Sequence, residues 1–406
     1  MKKIIALSLL TSSLLVASGY RLPESSINST ALSAAYLANA HGADSAYYNP
    51  ANMVFQENKH LVEGALTYIK LGEITYTDNR PTVAPLFNSI SEGENLFAPS
   101  AFYVSPFVNC FRFGISMVVP GGLTKRWESP YAKAYSEEFT LQVVEVNPVV
   151  AYKMSDQLAI GGGLRLIHSS GIIKSDASGV GKPVSRDMEA DSYDFGYNVA
   201  ATYKPTSALS LAATYRSNVN LTEEGNAKLS LSGTKLYDGG ASVTVPLPAV
   251  AAVAVAYTFG STTIELEYDR TFWSEYKELD FDFEDDVPLA LKVAFDDPKP
   301  RNWKDTNAYR VGMTHQMNKK LTLMGGFAID ENPAPEAHVG FELPDSDAML
   351  YSGGFRYQYS EAIEIGASVL YDAKDDRKVT TDDGVLDGEF TDSNALLVTT
   401  GIAYKF

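Results

Sequence analysis

Through most of this chain apolar and polar residues trade places at every second position, the period of an extended strand. Tyr193, Phe195, Tyr197, Val199, Ala201 and Tyr203 share one face, and Asp194, Gly196, Asn198 and Ala200 the other. The same reading divides Tyr351, Gly353, Phe355, Tyr357 and Tyr359 from Ser352, Gly354, Arg356 and Gln358, and Ile264, Leu266 and Tyr268 from Glu265, Glu267 and Asp269. In the closing stretch Leu396, Val398, Thr400, Ile402, Tyr404 and Phe406 form an aromatic-tipped face. The pattern predicts about fourteen strands, over 61–76, 97–107, 110–119, 138–154, 157–174, 190–204, 208–221, 241–258, 261–272, 306–317, 320–329, 348–359, 362–373 and 394–406.

The links between these stretches alternate in length. Short ones fall at Val108-Asn109, Ser155-Asp156, Pro205-Thr206-Ser207, Gly260, Asn318-Lys319 and Ser360-Glu361. Long polar ones fall at 77–96, 120–137, 175–189, 222–240, 273–305, 330–347 and 374–393. An even number of strands with tight turns at one end and long loops at the other is the signature of an outer-membrane β-barrel. The expected fold is therefore all-β: a transmembrane antiparallel barrel of 14 strands, apolar face to lipid and polar face to the lumen, with both termini on the periplasmic side. A cation facing lipid at mid-membrane costs about 2–4 kcal/mol, so Arg165, Arg216, Arg310 and Arg356 are expected to point inward.

The first residues follow another rule. Lys2 and Lys3, the apolar run Ile4 to Val16 and the small residues Ala17-Ser18-Gly19 read as a secretory signal over 1–19, with the mature chain starting near Tyr20. No later apolar run is long enough to cross a membrane as a helix. From 20 to 58 the two-residue period fails, and an Ala-rich stretch leads into Asn49-Pro50-Ala51. Scattered apolar residues (Leu22, Ile27, Leu32, Leu37, Met53, Phe55) and low charge predict a hatch folded into the lumen, followed by the barrel over 59–406. A flexible periplasmic extension is the other reading of this segment.

Composition narrows the function. A formal charge of −17 opposes nucleic acid binding, which needs clustered cations. The single cysteine, Cys110, rules out an intramolecular disulfide framework. Twenty-four Tyr suit interfacial girdles. None of the five histidines stands in a hydrolase or metal motif, and Gly-x-Ser-x-Gly is absent, so no catalytic residue, metal site or cofactor is expected.

Several segments resemble one family. Tyr20-Arg21-Leu22-Pro23-Glu24-Ser25-Ser26 with His41-Gly42-Ala43-Asp44-Ser45-Ala46-Tyr47-Tyr48-Asn49-Pro50-Ala51 looks like the N-terminal hatch of the FadL/TodX transporters. The stretch Glu145 to Gly163, the stretch Asn302 to Gly312, and Asp330-Glu331-Asn332-Pro333-Ala334-Pro335 with Leu343-Pro344-Asp345-Ser346-Asp347 are similar to later parts of it. The resemblance implies outer-membrane uptake of hydrophobic compounds, long-chain fatty acids first and aromatic hydrocarbons as the alternative. Capture at outer loops, binding in the barrel and hatch-gated lateral release would follow, with Asn49, Pro50 and Ala51 in the moving part. It also implies Lys174, near the outer end of the fifth strand, as a basic residue near the ligand; Arg165, Arg310 and Arg356 are candidates from their inward facing, since an arginine fork suits a carboxylate. The same arginines fit lumen scaffolding against Glu145, Glu265, Glu267 or Glu364. Aromatics in the second long link (Trp127, Tyr131, Tyr135), with Phe87 and Phe97, fit an outer capture groove or an interfacial girdle. Gly114 is a candidate for a wall kink. The expected surroundings are outer-membrane lipid and lipopolysaccharide, and the expected state a monomer. A passive porin for hydrophilic solutes shares the barrel and is the rival reading.

Overall fold

The computed structural model describes residues 19–406, so all of the expected signal except Gly19 lies outside the described residues. The alternating stretches form fourteen antiparallel wall strands. In chain order these are β1 (Leu61–Leu71), β2 (Glu94–Val104), β3 (Phe111–Arg126), β4 (Glu138–Lys153), β5 (Leu158–Asp176), β6 (Val184–Tyr203), β7 (Leu209–Arg216 and Val219–Leu231), β8 (Thr234–Leu247 and Ala249–Phe259), β9 (Thr262–Phe272), β10 (Thr306–Gln316), β11 (Leu321–Asp330), β12 (Ala348–Gln358), β13 (Ile363–Lys374) and β14 (Ala395–Lys405). β1 pairs with β14 from Leu61↔Lys405 to Leu71↔Ala395, which closes the ring. Closure matters because lipid offers no partner to an unpaired backbone edge. β8 is interrupted at Pro248, which has no N–H to give the ladder.

The facing pattern is the expected one. Tyr193 and Phe195 are 74% and 75% exposed on the outside, whereas Glu265 and Asp269 are buried within. Arg165, Arg310 and Arg356 are buried too, and the Arg216 side chain is nearly so.

Several long links are shorter than the alternation predicts. Residues 222–240 are not a loop: β7 and β8 run on to a tight turn at Ser232-Gly233, where φ is +52° and +74°. Such a turn needs the left-handed region at both central positions, which glycine enters freely. β3 continues through 120–126 and β6 starts at Val184, inside links expected to be irregular. The physical reason lies in the outward face. Thr222, Glu224, Asn226 and Lys228 are exposed while Leu221, Ala227 and Leu229 are buried. These strand ends have polar outward residues, so the apolar-outward test fails although the two-residue period persists.

Residues 20–58 add no strand to the wall. They fold as α1 (Ile27–Ala31), α2 (Ser45–Tyr48) and a 3-10 turn, Pro50–Phe55. Ser26 and Ser29 close a capping box on α1, and the Asn49 side chain caps the 3-10 turn by accepting from the Ala51 N–H at 3.1 Å. α1 packs on β11 to β14 and the 3-10 turn on β3 to β6, so the segment touches wall strands far apart in the ring. Nearly every residue from Leu22 to Val54 is buried. Glycines make room for it. A side chain at Gly326 would meet the Leu32 carbonyl carbon at 2.1 Å, and one at Gly161 the Ala51 nitrogen at 2.8 Å. Gly114 belongs to this set, facing Met53 and Ala46, and its ladder with Val104 and Val149 is regular. It is therefore a seat for the segment, not the kink expected there.

Polar groups tie the same segment to the wall. Glu265 accepts from the N–H groups of Leu37, Ala38 and Asn39 at 2.6, 2.6 and 2.9 Å. Arg112 donates to the carbonyls of Met53 and Lys59 at 2.5 and 2.9 Å. Buried backbone groups need such partners, and the wall supplies them.

Candidate functional site

At the long-loop end of the barrel, above the leading segment, the interior turns apolar. Tyr20, Leu123, Leu141, Val245, Tyr276 and Trp303 line a cavity whose empty space, counting the open solvent at its mouth, is about 400 Å³. The 330–347 link supplies six of the lining residues, and the 273–305 link supplies the aromatic residues Tyr276 and Trp303. Trp273 lies edge-on to Tyr20 at 4.8 Å and to Trp303 at 4.9 Å, and Tyr276 edge-on to Trp303 at 5.0 Å. Such geometries suit ring quadrupoles and hold the aromatic wall together. Gly19 enters this corner and donates its N–H to Asp345 at 2.8 Å, while Lys374 pairs with the same carboxylate.

One ion pair stands in the cavity wall, Arg301 to Glu342 at 2.6 Å. Burial pulls the Arg301 guanidinium down, but Glu342 and Tyr276 outweigh it and hold the group above its ordinary value. Arg301 therefore stays charged beside an apolar space. A guanidinium has five N–H donors, more than one carboxylate can occupy.

Loops roof the cavity. Thr75–Asp78, Ser89–Ile90, Arg377–Thr380 and Asp387–Thr391 form a small separate sheet. Beneath it Tyr76, Trp127, Phe341 and Phe390 interlock, with Trp127 Nε1–H donating to the Phe341 carbonyl at 2.8 Å. Trp127 and Tyr131 are buried and Phe87 stacks on Tyr131 at 3.9 Å, so these rings build a roof and not an open groove. Phe97 is 47% exposed on the outward face of β2, in a girdle position.

The wall is incomplete beside the cavity. β2 and β3 pair only where Ala101–Val104 meet Gly114–Met117, and beyond that the ladder stops. There β3 bulges at Val119-Pro120, where its register with β4 slips. The leading segment fills in from within: Leu22 N–H donates to the Pro120 carbonyl at 2.9 Å, and Gly122 N–H to the Tyr20 carbonyl at 2.8 Å. The gap is spanned at its outer end by Arg126 on Glu94 at 2.7 Å.

The residues expected at the site do not meet there. Lys174, at the outer end of β5, pairs with Glu138 at 3.4 Å and is a third exposed. Arg165 pairs with Glu145 at 2.9 Å. Arg356 holds Glu63 at 2.9 Å, Glu364 at 3.0 Å and Asn28 in the leading segment at 2.6 Å. Arg310 holds Asp269 at 2.8 Å, Asp330 at 3.2 Å and the Ser33 carbonyl at 3.1 Å. Asn49 is buried and donates to the Leu37 carbonyl at 2.9 Å and Thr202 at 2.8 Å. Pro50 and Ala51 sit against Gly161. Sequence reasoning passed over Arg301, Tyr276 and Trp303. A signal existed: the protein has three tryptophans, all are buried, and none belongs to a wall strand.

A closed barrel with a lipid-facing aromatic surface, an interior packed with its own leading residues and an apolar cavity under its loops defines an outer-membrane channel for hydrophobic solutes. Residues 8–406 match the family described as Outer membrane protein transport protein (OMPP1/FadL/TodX), and the chain belongs to that family. The protein is thus placed in the bacterial outer membrane, in a family that transports hydrophobic compounds. It is similar to the long-chain fatty acid transport protein of Escherichia coli O6:H1, 24% identical over 96% of this chain and 94% of that protein. It is also similar to outer membrane protein P1 of Haemophilus influenzae, 23% identical over 90% and 89% of the two chains. Among solved structures, a Pseudomonas aeruginosa FadL homologue superposes with a TM-score of 0.82 at 19% identity, covering 95% of this chain and 99% of that one. The Ralstonia pickettii toluene transporter TbuX gives 0.70 at 16% identity, covering 94% and 98%. These two likenesses establish the fold.

Proposed function

We propose that the protein takes up long-chain fatty acids, and that the apolar cavity beside Arg301 binds them. The carrying observation is a charged guanidinium, held by Glu342 and Tyr276, at the edge of an aromatic-lined space. An acyl chain gains about 0.8 kcal/mol for each methylene removed from water, and the fork of Arg301 suits a carboxylate. The fatty acid transport proteins among its relatives support the same choice. In this reading residues 1–19 are a signal and residues 20–58 a hatch. The ligand arrives through the aromatic roof, displaces Tyr20 to Leu22 from the β3 bulge, and leaves sideways through the β2–β3 gap into the bilayer. Movement around Asn49, Pro50 and Ala51 follows in the hatch. The ring closes within one chain, which suits a monomer among lipopolysaccharide.

A second reading has its own observation. Tyr20, Tyr276 and Trp303 also suit a monoaromatic ligand, which needs no cation. Calorimetry on Arg301→Leu separates the two. A charged hydrogen bond is worth about 1.5–3 kcal/mol, so palmitate affinity is expected to fall roughly ten- to a hundredfold while toluene binding stays unchanged. Toluene binding without palmitate binding in the parent protein would select the aromatic reading, and binding of neither would remove both.

A further inference from the structure

A second break in the wall has a different chemistry behind it. β6 and β7 pair at two ends only: Asn198–Tyr203 with Leu211–Arg216, and Val184–Asp191 with Glu224–Leu231. Between those ladders, residues 192–196 and 218–223 show no register, and the side chain of His168 takes the Ser192 carbonyl at 2.9 Å. Just inside this opening lies a cavity lined by Ile173, Met188, Ala190, Val243 and Phe281, whose empty space, counting what is open at its mouth, is about 290 Å³. It adjoins the cavity described above, since Phe139 and Leu141 of that wall are register partners of Ile173 and Gly171 here.

Of the two acidic residues lining this space, Glu189 is exposed and Glu223 is buried. Glu223 is 3% exposed, and its Oε1 has no hydrogen-bond partner among the described residues. The room for it is built in: a side chain at Gly171 would come within 2.2 Å of Glu223 Oε2. A buried acceptor left unmade costs about 1–3 kcal/mol, so the fold gives up stability to keep this group. Glu145, by contrast, also buried on a wall strand, is held by Arg165 and Arg216. Asp191, opposite the neighbouring Glu224 in the ladder, adds negative charge nearby.

We propose that this cavity is a separate binding site for amphiphiles with an apolar tail and a hydrogen-bond donor head, a hydroxyl or an ammonium, which donates to Glu223 Oε1. The head chemistry is the opposite of that favoured by Arg301. A carboxylate head would face like charge and find no donor at Glu223, so the site turns fatty acids away. Entry from the membrane follows the parted β6 and β7, where Tyr193 and Phe195 form the outer lip.

The test uses the full chain in lipid nanodiscs and three probes of equal tail length: 1-decanol, decylamine and decanoate. Empty nanodiscs provide the background. With decanoate at saturation, the parent protein is expected to bind one further equivalent of decanol or decylamine. Glu223→Leu is expected to weaken both at least tenfold and leave decanoate unchanged. Because that variant removes a buried acid with one unpartnered oxygen, losing only its contact with Ser169, it should fold about as well as the parent. Ala190→Trp, which fills the space without touching Glu223, should abolish the same binding and provides a second line. Decanol and decylamine affinities unaltered in Glu223→Leu would mean that the carboxyl group serves only an internal water, and the proposal would fall. Loss of decanol binding under saturating decanoate would place all ligands in one cavity, with the same result. Failure of decanoate itself to bind would count against the fatty acid reading alone, since the decanol and decylamine arms stand without it.

Discussion

Arg310→Met is expected to destabilise the barrel by about 3–5 kcal/mol, the usual effect of removing one member of a buried ionic group. Arg310 is fully enclosed, with Asp269 at 2.8 Å, Asp330 at 3.2 Å and Glu24 at 3.9 Å. It also donates to the Ser33 carbonyl at 3.1 Å, so one guanidinium joins β9, β10 and β11 to the leading segment. Without it, three acids share a space with little water. Arg21 reaches Asp269 at 3.2 Å, which leaves Asp330 and Glu24 the most exposed to the loss. Urea titration of refolding into vesicles measures the change. Adding Asp330→Asn removes one of the stranded charges and should recover part of it. A single variant within 1 kcal/mol of the parent, on the order of an ordinary surface change, would show that the cluster does not hold the structure together.

Gly326→Val should unseat the leading segment while leaving the barrel intact. The added carbon would lie 2.1 Å from the Leu32 carbonyl carbon and 2.4 Å from its oxygen. These are backbone atoms, so no side-chain rotation relieves the clash, and α1 with its following turn has to move. Planar bilayers report the outcome: the parent should remain nearly closed and Gly326→Val should carry a steady current. Gly325→Val is the matched control, because a side chain there meets only the Ser352 carbonyl oxygen, at 3.8 Å. A Gly326→Val protein as closed as the parent would mean that residues 20–58 do not block the lumen. A parent with a large steady current would favour the hydrophilic porin instead.

The barrel was legible because its physics is local. Alternation within single strands placed the lipid-facing set Tyr193, Phe195 and Tyr197 and the inward set Glu265, Glu267 and Asp269 without knowledge of any neighbour. The strand ends beyond the apolar band were lost for the complementary reason. At Thr222 to Lys228 the outward face is polar, and a rule tuned to lipid reads it as loop. The cavity depends on non-local meetings. Tyr20, Leu141, Val245 and Trp303 come together only when the leading segment, two wall strands and a long link converge. Arg301 carries no local mark that separates it from Arg165, Arg310 or Arg356, each of which answers a wall acid or the leading segment. Gly114 shows the same limit. Its small size was readable, but whether that room served a kink or a packed neighbour depended on Met53, far away in the chain.

The most direct test is a crystal structure of the protein with a fatty acid brominated at the chain terminus. Anomalous density is predicted among Tyr20, Leu141, Val245 and Trp303, with the carboxylate on Arg301. A fully occupied ligand lying elsewhere, with this cavity empty and Arg301 still held by Glu342 and Tyr276, would contradict the account.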